Sequence, residues 1–129
     1  MRRLIVPEAW AAAAEAAQMS PAISANGFLF LTGITGAGAD GVMPARAADQ
    51  FAVVFDKMEA VLGAAGLDGD AVVEMTTYHV GLRGHFDVFD AIRKARFAAP
   101  YPAWTAVEAG GLRREGAVVE MRIVAGIEA

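Results

Sequence analysis

Glu120 and Arg122, two residues apart in the run VVEMRIVA near the end of the chain, are residues of types that could do chemistry. On a strand, positions i and i+2 point the same way, so carboxylate and guanidinium share a face. A glutamate in a cleft serves as a general acid or base once its surroundings raise its pKa; the plainer reading of Glu120 is an ion pair with Arg122 or a charge at the lip of the sheet. Arg122 in turn either offers a positive charge to a ligand or forms a solvated or structural salt bridge. His79, in AVVEMTTYHV, is placed for a general base, although a lone strand histidine is more often structural. Asp90, in FDVFDAI, reads first as a helix-surface carboxylate. Gly33, between Thr32 and Ile34, either presents backbone amides to a ligand or serves a bulge. With two histidines and no cysteine, most zinc sites, thiolate nucleophiles and disulfides are excluded.

The elements that would carry these residues follow from periodicity. Leu4-Ile5-Val6 is a short strand ended by Pro7. The alanine-rich stretch EAWAAAAEAA has helical propensity for a helix or a single turn. AIS and FLFLTG flank Ala25-Asn26-Gly27, and Asn-Gly between apolar runs predicts a hairpin. Phe51, Val54, Phe55, Met58, Val61 and Leu62 recur at helical spacing within Arg46 to Ala65, with Gly66 at the left-handed stop. AVVEMTTYHV is a strand, and FDVFDAIRKARF, Phe86 to Phe97, a second helix before Pro100 and Pro102. AWTAVEA and AVVEMRIVA, joined by GGLRREG, close the chain as strands. The order β-β-β-α-β-α-β-β gives an α+β layer with two helices on one sheet face.

In the last strand, Val119, Met121 and Ile123 take the helix-covered face. Val118, Glu120, Arg122 and Val124 form the other, too mixed to lie open to water across its width, so a second subunit is expected there. Composition agrees. The 129 residues fit one domain spanning 1–129, and 56% hydrophobic residues with a mean hydropathy of +0.39 exceed what a small solitary domain needs. A net charge of -4 with scattered basic residues argues against nucleic acid as a partner. The uncharged stretch from Ala16 to Ala39 is broken by Pro21, Asn26 and several glycines, which argues against a membrane span. Pro7, Glu8 and Glu15 interrupt any signal peptide, and the cysteine-free chain fits a cytoplasmic protein.

The pieces Ser20-Pro21-Ala22, FLFLTGITG, QFAVVFDKMEAVLGAAG, AVVEMTTYHV, FDVFD, PYPAWTAVE and VVEMRIVA, in this order and spacing, resemble the Rid family, the reactive intermediate deaminases or YjgF-like proteins. The similarity runs from about Ser20 to Ala125. It implies a chorismate-mutase-like fold, a mixed sheet with two helices on one face, and a homotrimer whose sheets form a central barrel. Three small-molecule clefts would lie between subunits. Deaminating members hydrolyse imines and enamines without metal or bound cofactor, using an arginine for the substrate carboxylate and a glutamate beside the attacking water.

Glu120 falls on that glutamate. The arginine frame, Pro-Ala-Arg, reads Pro102-Ala103-Trp104 here, as in an arginine-lacking branch with a Pro-x-Trp-Thr-Ala-Val stretch. Indole has one N–H donor and a large apolar face, whereas guanidinium binds carboxylate through a planar fork. Trp104 thus either lines the pocket or packs in the core. Met19 stands where deaminating members often have tyrosine, and Asp90 where they often have asparagine. The resemblance therefore implies a small metabolite as ligand, with Glu120 catalytic and Trp104, Met19, Gly33, Ile34, Arg122 and Asp90 around it. Standard 2-imino acids are poor candidates for that ligand. A binding or interaction module without catalysis is the alternative, and a ribonuclease is disfavoured by the acidic balance.

Overall fold

The computed structural model describes residues 1–127. Seven strands form one mixed sheet in the order β1-β2-β3-β7-β5-β6, with β4 also on β7. They are β1 (Arg3–Ile5), β2 (Ala22–Ala25), β3 (Phe28–Leu31), β4 (Ile34–Thr35), β5 (Val72–His79), β6 (Ala103–Glu108) and β7 (Val119–Gly126). Three helices accompany them: α1 (Ala11–Ala17), α2 (Ala47–Ala64) and α3 (Leu82–Lys94). All strand pairs are antiparallel except β5 and β6, which α3 joins as a parallel crossover.

The hairpin forms as the sequence predicts. Asn26 and Gly27 have φ of 53° and 81°, and Ala25 pairs with Phe28, so a two-residue loop with both φ positive matches the strand twist. The run FLFLTGIT does not stay one strand. After Leu31 it breaks at Thr32 and Gly33 and resumes as β4, while Thr32 turns aside to donate from N and Oγ1 to the carbonyls of Pro21 and Ser20. The alanine-rich stretch is a real but short helix, α1, with no buried residue.

α2 buries Phe51, Val54, Phe55, Met58, Val61 and Leu62 against the sheet, and Leu67 N–H bonds back to the Leu62 carbonyl past Gly66, at φ 74°. The helix layer packs on Leu29, Leu31, Met75, Val119, Met121 and Ile123. Each such side chain contributes about 1.5–3 kcal/mol of burial. α3 begins at Leu82, four residues before the apolar pattern predicts. Its cap comes from a distant strand: the Glu108 carboxylate accepts from the amides of Gly81 at 2.9 Å and Leu82 at 2.7 Å.

The opposite sheet face is open in this chain. Leu4, Ile23, Phe30 and Val124 lie side by side across β1, β2, β3 and β7. Phe28, Val73, Tyr78 and Val107 are exposed on the same face. An uncovered sheet face of this apolarity is a surface built to be covered.

Candidate functional site

Glu120 lies on this open face, in the middle strand. Its register partners are Thr35 on β4 and Tyr78 on β5, and Tyr78 in turn pairs with Val107, so one row reads Thr35, Glu120, Tyr78, Val107. The strand break explains the room for its carboxylate, which folds over Gly33: a Cβ added there would lie 2.3 Å from Glu120 Oε2 and 3.2 Å from Cγ. It is this close approach, and not a left-handed φ, that favours glycine at 33, and a side chain there would push the Glu120 carboxylate from its seat. Among the described residues neither Glu120 nor Arg122 has an ion-pair partner, so the plain reading of a bridge between them is not what forms. Arg122 is exposed one row further along, beside Thr76. Lys57 steadies β4 from behind, its Nζ donating to the carbonyls of Thr35 at 2.9 Å and Ala37 at 3.0 Å, and burial lowers its pKa.

Trp104 faces the other way. It pairs with Met75, whose side chain is in the core, and its half-buried indole lies beneath α3. The ring stacks parallel to Phe86 with centroids 5.7 Å apart, contacts Phe89, and carries the Arg93 guanidinium 4.5 Å from its centre. Its N–H donates to Thr77 Oγ1 at 2.9 Å. Asp90 belongs to this side, holding Arg93 at 2.6 Å and Lys94 at 3.3 Å, and the hydrogen bond from Arg93 lowers its pKa.

Within one chain the structure thus brings Glu120 together with Gly33 and, on the next row, Arg122. It leaves Trp104 and Asp90 across the sheet. Ile34 is buried, pairing with Met121, and gives the Glu120 side only its backbone. Met19 is exposed and lines a groove of about 470 Å³ with Leu4, Val6, Ala14 and Gln18; Ser20, next to it, accepts from Thr32 at the strand break.

His79 is fully buried with both ring nitrogens engaged: Nδ1 is 3.0 Å from His85 Nε2, and Nε2 is 2.8 Å from Thr77 Oγ1. Burial first, then the neighbouring His85, lowers its pKa to about 4, against a smaller opposing pull from Glu108. It cannot touch a ligand. Burial lowers the His85 pKa as well, and the Gly81 and Leu82 amides lower that of Glu108. Tyr78, Thr77 and Arg93 belong to no motif that marks them as site residues in the sequence. Period-two alternation in MTTYHV does set Tyr78 on the Glu120 face and Thr77 with His79 on the helix face. Among the described residues no group of three His, Cys, Asp or Glu could hold a metal ion, and no helix is long and apolar enough to cross a membrane.

Comparison with known proteins agrees with this architecture. Residues 10–127 match the Endoribonuclease L-PSP family. The chain is 34% identical over 89 residues to RutC family protein YjgH of Escherichia coli (strain K12), covering 68% of each chain. The solved structure of protein YJGH superposes with a TM-score of 0.90 at 29% identity, over 99% of this chain and 98% of that one. YEO7 from yeast gives 0.88 at 26%, over 99% and 100%. RidA from the Antarctic bacterium Psychrobacter sp. gives 0.79 at 27%, over 84% and 87%. With a family match over residues 10–127, a relative 34% identical and a solved relative that superposes over nearly the whole length, the chain belongs to the Endoribonuclease L-PSP (YjgF/Rid) family.

Proposed function

We propose that this chain works as a homotrimer whose open sheet faces line a central barrel, with clefts between subunits that hydrolyse a small, partly apolar imine or enamine. The observation that carries the reading is the Glu120 carboxylate, folded over Gly33 on an apolar sheet face and free of any ion pair among the described residues. In this reading Glu120 takes a proton from water as the oxygen adds to the C=N carbon and passes that proton to the nitrogen, giving the carbinolamine. Glu120 then takes the hydroxyl proton as the C=O bond forms and delivers it to the nitrogen as the C–N bond breaks, releasing a carbonyl and ammonia. The apolar row Leu4, Ile23, Phe30, Val124 supports assembly through this face.

Trp104 supports a substrate without an essential carboxylate. Its single donor is already bound to Thr77, so residue 104 supplies no clamp. An acidic group entering the Glu120 side would meet Arg122. The acidic net charge gives no support to RNA as substrate. A protein of this kind acts in the cytoplasm, downstream of reactions that release labile imines.

The test is hydrolysis of freshly generated imines, neutral and 2-imino acid, by wild type and Glu120→Gln, with oligomeric state from analytical ultracentrifugation. Turnover of neutral apolar imines by a trimer, lost in Glu120→Gln, supports the reading. Ligand binding without turnover by either protein leaves the non-catalytic module as the answer.

A further inference from the structure

Two exposed features of this chain suit each other and cannot meet within it. The first is Tyr101, 67% exposed, which stands between Pro100 and Pro102 just ahead of β6. Proline fixes φ at about −65°, so the ring is held out on a stretch with little freedom to lose on binding. The second is the groove of about 470 Å³ between β1 and α1, lined by apolar Leu4, Val6, Ala14 and Met19 and by polar Glu15 and Gln18. Met19 is 49% exposed and Leu4 is exposed as well, so the apolar part of this lining stands open to water. A tyrosine suits it. The ring is apolar, a thioether packs well against an aromatic, and the hydroxyl can donate to the Glu15 carboxylate or the Gln18 amide oxygen.

β1 and β6 are the two ends of the sheet, so several strand steps of about 4.8 Å, roughly 24 Å in all, separate the groove from Tyr101 of the same chain. The groove of one copy is open instead to Tyr101 of another. Such a contact joins two different patches head to tail and closes into a ring when the rotation allows. Two further observations favour a second copy as the occupant. Charge is complementary: residues 91–107 carry Arg93, Lys94 and Arg96 and no carboxylate, whereas residues 4–39 carry Glu8 and Glu15 and no Lys or Arg. Arg93 and Arg96 are paired within the chain, but the Lys94 side chain is 68% exposed and shares Asp90 with Arg93, and Glu15 has no ion pair among the described residues. The groove is also continuous with the apolar open face, because Leu4 belongs to both. A copy that covers Leu4, in its row with Ile23, Phe30 and Val124, reaches the groove as well.

We propose that Tyr101 of one copy seats in the β1–α1 groove of the next, against that copy's Met19, and that this contact joins the subunits of the homotrimer proposed above, on which the inference rests. The groove connects to the seat of the Glu120 carboxylate. Ser20, next to Met19, accepts from Thr32 Oγ1 at 2.6 Å, and Thr32 adjoins Gly33, over which Glu120 folds. Each copy thus brings its Pro100-Tyr101-Pro102 stretch toward the Glu120 seat of its neighbour.

The chain has no cysteine, so the double variant Met19→Cys/Tyr101→Cys carries its only two thiols. The assembled protein is treated with a short bismaleimide and read on a denaturing gel beside each single variant, with the oligomeric state of wild type and double variant taken from analytical ultracentrifugation. The expected result is a covalent ladder ending at three chains in the double variant and uncrosslinked chains in either single variant. A double variant that sediments as a trimer yet stays uncrosslinked overturns the docking and leaves the homotrimer standing, whereas a monomeric wild type overturns both. A ladder past three chains keeps the head-to-tail contact and overturns the closed trimer. Tyr101→Ser removes an exposed ring and leaves the core of the chain untouched; it is expected to raise the dissociation constant of self-association at least about tenfold. Association as tight as wild type in Tyr101→Ser overturns the docking, even where the double variant fails to assemble.

Discussion

Trp104 and Glu120 lie on opposite faces of one sheet. Trp104 pairs with Met75 on β5 and points with it toward the helices, whereas Glu120 pairs with Tyr78, three residues along β5, and points with it away from them. Odd and even positions of a strand cannot share a face, so a clamp and a base on these two residues of a single chain would not converge. A site built on Glu120, if there is one, would then draw on residues of its own face or of another copy.

Gly33→Ala tests the seat of the carboxylate. The new methyl would collide with the far end of the Glu120 side chain, which can swing aside, so stability changes by less than about 1 kcal/mol. Turnover or ligand affinity is expected to fall at least about tenfold with the displaced carboxylate. Thermal unfolding and steady-state assays read the two effects apart.

Trp104→Phe keeps the ring against Phe86 and Phe89 but removes the donor to Thr77, and is expected to cost about 1 kcal/mol in urea unfolding. Trp104→Arg sets a second guanidinium beside Arg93 in a half-buried layer and costs more. If the arginine variant matches wild type in stability, the packing role assigned to Trp104 is wrong.

Gln50 is a buried tie between the segments before α2 and before β7. Its Nε2 donates to the carbonyls of Pro44 and Gly116, and its Oε1 accepts from Val118 N–H. Gln50→Leu leaves these backbone groups without partners and is expected to cost about 3 kcal/mol in chemical denaturation.

Stability should also depend on pH through His79. Its pKa is about 4 when folded against 6.5 ordinarily, so the unfolded chain binds the proton more readily. The contribution of neutral His79 is complete above pH 6.5, shrinks as pH falls, and is spent near pH 4. Urea unfolding at stepped pH values should show this slope, and His79→Gln should flatten it.

The sequence by itself determined the element plan. The Asn26-Gly27 turn, the apolar stripe of α2 and the alternation of Val119, Met121 and Ile123 are local signals, each set by dihedral preference or by a period of 3.6 or 2. Glu120 is marked by the resemblance of VVEMRIVA to the family's glutamate stretch, while the mixed strand face by itself points only to a covered surface. Contacts between segments far apart in the chain needed the tertiary structure. The start of α3 was hidden because its cap, Glu108, lies 27 residues from Gly81. The close approach at Gly33 comes from a side chain on β7, and the inward turn of Trp104 from its parallel pairing with β5. The union of His79 and His85 likewise requires α3 to fold back on its own preceding strand. Such contacts carry no period and no fixed spacing, so only the closed sheet and its helix layer could decide them.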